Sequence, residues 1–160
     1  MYLRPIALGR SRIVVLDHDG PSLSRLCGLL QSNGYLTFSA ETASLACRAL
    51  HRRQVDLVLT TIALPEAERR EWISALGQLG VNVPVVAMCE ASSVHALDLF
   101  DTANEFGAAA MLRRPFTAST LLQVVGQLLP AAAKNETTVV KSAPAHIDWP
   151  GLASGSSAIH

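Results

Sequence analysis

Apolar residues fall into two alternating patterns along this chain, short continuous runs and longer stretches with apolar positions three and four apart, and the alternation recurs over residues 12–129. Residues 12–17, Arg-Ile-Val-Val-Leu-Asp, are apolar on both faces and end in an acid, the pattern of a parallel strand covered on both sides. Residues 22–32 place Leu23, Leu26, Cys27 and Leu30 on one stripe and so predict a helix, which Asn33-Gly34 terminates. A second, weaker strand is expected at 35–38 and a second helix at 42–52, buried through Leu45, Ala46, Ala49 and Leu50. The third strand is expected at 56–60, and a third helix at 66–79 beyond Pro65. A loop over 80–84 leads into a fourth strand at 83–88. Ser92 or Ser93 is placed to cap a fourth helix that reaches Phe106 and stops at Gly107. Residues 108–112 make a fifth strand, 113–116 a turn, and 118–129 a fifth helix closed by Pro130.

Strand–helix alternation with short connections specifies an α/β fold with one parallel sheet, because parallel neighbours need crossovers and these are almost always right-handed. The expected architecture is a doubly wound, flavodoxin-like (βα)5 sheet in the order 2-1-3-4-5. Ligands in such sheets bind outside the carboxyl ends of the strands, near the switch point between strands one and three. That rule gathers Asp17, His18, Asp19, Thr61, Cys89 and Arg114 around one pocket.

The 160 residues, 49% of them apolar, suffice for one domain with a true core and are too few for two ordinary ones. The expected division is an N-terminal arm at 1–11, a domain at 12–130 and a low-complexity tail at 131–160. The tail is rich in Ala, Ser, Pro and Gly with isolated charges, and it is expected to be flexible. Residues 147–152, Ile-Asp-Trp-Pro-Gly-Leu, are its one compact apolar patch, and they are a candidate for docking elsewhere. Thirteen basic and 13 acidic residues cancel to zero formal charge, which argues against nucleic acid or an anionic membrane as partner. Cys27, Cys47 and Cys89 lack metal-type pairing, no leader pattern opens the sequence, and no apolar run reaches the roughly 20 residues of a membrane span. A cytoplasmic protein is expected.

The run at 55–65, Val-Asp-Leu-Val-Leu-Thr-Thr-Ile-Ala-Leu-Pro, resembles the third strand of bacterial response-regulator receiver domains, and the resemblance extends over about residues 12–129. In that family the residue closing the strand is an Asp that accepts a phosphoryl group; here it is Thr61. The family pairs this acceptor with two acidic residues after strand one, which together hold Mg²⁺, an ion that prefers oxygen ligands. Aligned from strand one, the acidic positions fall on Asp17 and His18; aligned back from Pro21 and Leu23, they fall on His18 and Asp19. A hydroxyl at 61 has neither the charge to ligate Mg²⁺ well nor the carboxyl carbon of an acyl phosphate. Asp56 is no substitute, since it precedes the strand and lies about 16 Å from the pocket at roughly 3.3 Å per residue.

Further positions depart from the family in the same sense. Cys89 replaces the hydroxyl after strand four, Glu90 stands at a position usually held by a small residue, and Met111 replaces a switching aromatic. Arg114, in Arg-Arg-Pro-Phe, replaces the Lys of Lys-Pro-Phe with a planar fork suited to a carboxylate. The resemblance also implies a cis bond between Arg114 and Pro115.

The expected function is therefore that of an atypical single-domain receiver, not an enzyme, that does not accept phosphate and acts as a protein-interaction module. Asp17 or Asp19 is expected to pair with Arg114 and fill the old phosphorylation pocket. No metal site is expected beyond weak residual Mg²⁺ binding by Asp17 and Asp19. Helix five carries more apolar surface than one sheet-facing stripe needs, so Met111, Leu122, Val125 and Leu129 are candidates for an interaction face with helix four and strand five. A histidine kinase, another regulator, a second copy of the chain or the Trp149 segment would cover it. Two alternatives stand beside this reading: a phosphoryl-accepting shuttle or sink of a phosphorelay, and a redox or metal sensor built on Cys89 and His18.

Overall fold

Continuous Val, Ile and Leu runs build the sheet in this computed structural model, which describes residues 10–52, 54–79, 82–90 and 96–129. The strands are β1 (Arg12–Leu16), β2 (Leu36–Ala40), β3 (Leu57–Thr61), β4 (Val85–Glu90) and β5 (Ala110–Arg114). Between and after them run α1 (Gly20–Ser32), α2 (Ala43–Arg52), α3 (Glu66–Gly77), α4 (Ala96–Glu105) and α5 (Ala118–Leu128). All neighbours are parallel and the order is β2-β1-β3-β4-β5, the flavodoxin-like arrangement expected from the alternation.

Successive strand side chains point to opposite faces, so the sheet divides the core in two. Ile13, Val15, Leu57, Leu59 and Met88 face α1 and α5, where they meet Leu26, Leu30, Leu121 and Val125. Val14, Leu16, Val58, Ala87 and Met111 face the other way, against Ala46, Trp72, Leu76 and Phe106. Register thus decides which side of the sheet each edge residue serves.

Several element ends differ from expectation, each for a local reason. α1 begins two residues early because the Asp19 carboxylate accepts the Ser22 N–H at 3.0 Å and Pro21 sits in the first turn, where a missing N–H costs nothing. Tyr35 N–H is taken by the Leu30 carbonyl in the turn closing α1, so β2 starts at Leu36. α3 stops at Gly77 because the Gln78 and Leu79 N–H groups bond three residues back, to Ala75 and Leu76. Gly107 adopts φ 72°, and the Ala108 N–H returns to the Ala103 carbonyl, so β5 starts at Ala110 and runs on through Arg114. Leu45, expected in the core, is 46% exposed, since α2 turns Ala43 and Ala46 to the sheet instead. The expected caps at Ser92 and Ser93, residues 80 and 81 of the expected loop and the tail at 131–160 lie outside the described residues.

Candidate functional site

The carboxyl edge of the sheet carries an ion pair between its first and last strands in sequence. Asp17 follows β1 directly, and its Oδ2 accepts a hydrogen bond from Arg114 Nη2 at 2.8 Å. Its Oδ1 accepts from the Asp19 N–H at 3.1 Å, so both oxygens are engaged. Arg114 closes β5; its Nη1 donates to Ser22 Oγ at 2.8 Å, and its Nε lies 3.3 Å from Glu90 Oε2. Met88 Sδ lies 3.6 Å from Nη2. The guanidinium is therefore held at once by the β1–α1 loop, the first turn of α1 and the end of β4, which is what a planar fork of five donors does and an ammonium does not. The Asp17 side chain is only 7% exposed and that of Arg114 20%, so the pair is largely screened from water. The Arg114–Pro115 peptide bond is cis.

Thr61 is buried at the end of β3. Thr60 beside it turns toward α3, where its Oγ1 accepts the Trp72 indole N–H at 2.9 Å and donates to the Thr61 carbonyl at 2.8 Å. Alternation then puts Thr61 on the face of Asp17. The Thr61 Oγ1 accepts the Ala63 N–H at 3.1 Å, tying it to the following loop.

Three of the expected pocket residues are used otherwise. Asp19 caps α1 and does not pair with Arg114. His18 turns outward, with Nδ1 2.6 Å from the Glu41 carbonyl oxygen and Nε2 3.6 Å from Glu68 Oε1. That same Glu68 oxygen accepts the Ala43 N–H at the start of α2, at 3.0 Å. Cys89 is buried in the cluster with Leu16, Ala87 and Met111, because it follows Met88 by one residue and so faces the opposite side of the sheet. His18 and Cys89 thus serve different surroundings, and the described residues hold no group of three or more His, Cys, Asp or Glu side chains fit for a metal. Ser22 completes the site without having been placed in it from the sequence, and Glu90, singled out there only as a departure from the family pattern, joins it as a partner of Arg114. Both had a signal: Glu90 is the register partner of Arg114, and Ser22 occupies the first turn of the helix that begins beside Asp17.

The Mg²⁺ that the receiver resemblance implies does not fit this arrangement. The acids at this edge, Asp17 and Glu90, both lie against the Arg114 guanidinium, and the Asp17 oxygens are committed to that guanidinium and to a backbone amide. A divalent cation on that carboxylate would sit against a like charge held at hydrogen-bonding distance. At the far end of the sheet Asp56 accepts the Arg12 N–H at 2.7 Å, remote from this chemistry.

The expected interaction face also needs correction. Met111, Val125 and Leu129 are 1%, 0% and 6% exposed and belong to the core; of the four residues, Leu122 alone is partly exposed. The wide apolar arc of α5 is needed because the helix packs into the cluster that also holds α1, rather than against the sheet alone. Cys27 is likewise core, and burial pushes its thiol pKa up, with a hydrogen bond from Thr37 opposing. The Cys47 thiol is raised by burial and by the nearby Glu71 charge.

No family model matches the chain. Over 121 residues it is 26% identical to the transcriptional regulatory protein GlrR of Escherichia coli (strain K12), a match that spans 75% of this chain and 27% of that regulator. Over 119 residues it is 24% identical to sporulation initiation phosphotransferase F of Bacillus subtilis (strain 168), spanning 74% of this chain and 94% of that protein. The crystal structure of a response regulator receiver domain protein (CheY-like) from Methanospirillum hungatei JF-1 superposes with a TM-score of 0.68 at 22% identity, covering 80% of this chain and 100% of that one. This last likeness is one of fold.

Proposed function

We propose that this chain, a receiver domain of the response-regulator type, works as a phosphorylation-independent protein-interaction module in bacterial signal transduction. The observation that carries the reading is the Arg114–Asp17 pair at 2.8 Å beside a buried threonine. A phosphoryl switch needs a carboxylate to accept the group, a metal to bridge its oxygens and an unfilled space for both. Here the acceptor position holds a hydroxyl, and the cation in the pocket is part of the chain. A ligand shifts a conformational equilibrium only through its differential affinity for the two states, and a tethered guanidinium already supplies the positive charge in the resting state.

In this reading the protein is not an enzyme, acts in the cytoplasm, and recognises a protein partner through the face formed by α4, β5 and α5, with Leu122 contributing its exposed part. A histidine kinase, another regulator or a second copy of the chain has the chemistry for that face. Incubation of the purified protein with acetyl phosphate and Mg²⁺, followed by intact-mass measurement, tests the central claim. The expected product is unmodified protein; stoichiometric, hydroxylamine-labile phosphate on an aspartate would refute it.

A second reading, a phosphoryl-accepting shuttle or sink of a phosphorelay, draws support from the likeness to the B. subtilis phosphotransferase over nearly the whole of that protein. It needs a carboxylate acceptor other than residue 61, and the same experiment supplies the site if one exists.

A further inference from the structure

A groove of about 660 Å³ runs between α1 and the start of α5, opening beside the Arg114 guanidinium. Leu26, Leu29 and Phe116 give it apolar walls. Gly28 forms its floor at backbone level, and a Cβ added there would meet nothing within 4 Å, so the groove stays open along the helix. Arg25 lines it as an exposed cation, and among the described residues it has no acidic partner.

We propose that residues 147–152, Ile-Asp-Trp-Pro-Gly-Leu, dock in cis in this groove, with the Trp149 indole between Leu26, Leu29 and Phe116 and the Asp148 carboxylate on Arg25. The match is one of both chemistry and reach. Trp149 is the only Phe, Tyr or Trp after Phe116, and the only acid after Glu136 is its neighbour Asp148. One aromatic beside one acid therefore matches an apolar groove whose Arg25 has no acidic partner among the described residues. The groove lies at the α5 N-terminus, while the linker leaves from the C-terminus; the 11 residues of α5 separate the two by about 17 Å at 1.5 Å per residue. Seventeen residues, 130–146, separate Leu129 from Ile147, none of them glycine, and an unfolded chain of that length has a radius of gyration of about 11 Å and an r.m.s. reach of about 27 Å, enough to cover the span. A linker whose r.m.s. length is close to its span holds the segment at an effective concentration on the order of millimolar. Intrinsic affinity in the hundred-micromolar range then keeps the groove filled, and any partner using the α1–α5 surface has to displace the segment. This inference stands whether or not the pocket accepts phosphate.

Acrylamide quenching of tryptophan fluorescence tests it on the full chain. Trp72 is fully buried, and its signal is subtracted with the Trp149→Phe variant. The expected result is Trp149 quenching several-fold weaker than in a synthetic peptide of residues 145–154, and independent of protein concentration. Gly28→Gln puts a side chain into the groove at a position where an added Cβ meets nothing within 4 Å, and Arg25→Glu reverses its charge; each should move quenching toward the peptide value. Combining Arg25→Glu with Asp148→Arg should restore protection. Peptide-like quenching in the unaltered chain, protection that survives Gly28→Gln, failure of the charge swap to restore it, or protection that grows with concentration, as a second copy would give, each overturns the proposal.

Discussion

Replacing Arg114 with methionine removes the guanidinium while keeping a side chain of similar length, and it isolates what the ion pair contributes to the fold. Asp17 would retain its bond from the Asp19 N–H but lose its only charged partner among the described residues, at a position where 7% of the side chain is exposed. Stranding one member of a fully buried pair costs about 3–5 kcal/mol. Arg114 is 20% exposed, so water enters the space it leaves, and solvent screening lowers the expected loss to about 2–3 kcal/mol. With a urea m-value of about 1–3 kcal/mol per molar, the unfolding midpoint should fall by roughly 0.7–3 M. Asp17→Asn keeps an acceptor for the Asp19 amide and should cost about 1–2 kcal/mol. The double variant strands no charge, so its loss should be smaller than the sum of the singles by about 1–2 kcal/mol. Glu90 serves as the control: its side chain is 60% exposed, and Glu90→Gln should stay within about 0.5 kcal/mol of the parent. Single variants that each cost under about 0.5 kcal/mol and add without coupling would show that the pair is a crowded surface contact and does not fill the pocket.

Other interactions give further measurable outcomes. Thr60→Val deprives the buried Trp72 indole N–H of its acceptor and should cost about 1–3 kcal/mol in urea unfolding, whereas Thr60→Ser, which keeps the oxygen, should cost less; equal losses would assign the effect to packing alone. On α3 the Arg69 hydrogen bond and charge, with a smaller contribution from Arg70, hold the Glu66 carboxyl below its ordinary range. A lowered folded-state value means that this interaction favours the fold above the ordinary carboxylate range and fades as pH falls through the lowered value. In Arg69→Ala the Glu66 titration midpoint, followed by carboxyl ¹³C NMR, should rise; an unchanged midpoint would contradict the assignment.

The strands were legible because burial on both faces leaves continuous apolar runs, and the strand order followed from the handedness of their crossovers. Ends were less legible where one side chain or one backbone conformation outcompetes the periodic pattern, as Asp19 does at α1 and Gly107 before β5. The site was legible along the strands but not across them. Reading which residues reach the carboxyl edge gathered Asp17, His18, Cys89 and Arg114 together, yet a step of one residue changes faces. Cys89 and Met111 follow that alternation into the cluster with α2 and α3, while Met88, Glu90 and Arg114 stay with Asp17. Register also decides between the two acids that alignment left open. Leu16 faces α2 and α3, so Asp17 turns toward α1 and meets Arg114, whereas Asp19 lies beyond the strand and is claimed by the helix it caps. Thr61 by itself would leave an acidic pocket without its acceptor, still open to a cation. Arg114 changes that, because its fork reaches Asp17 and Ser22 at once and puts a cation from the chain itself on the acid that a metal would need.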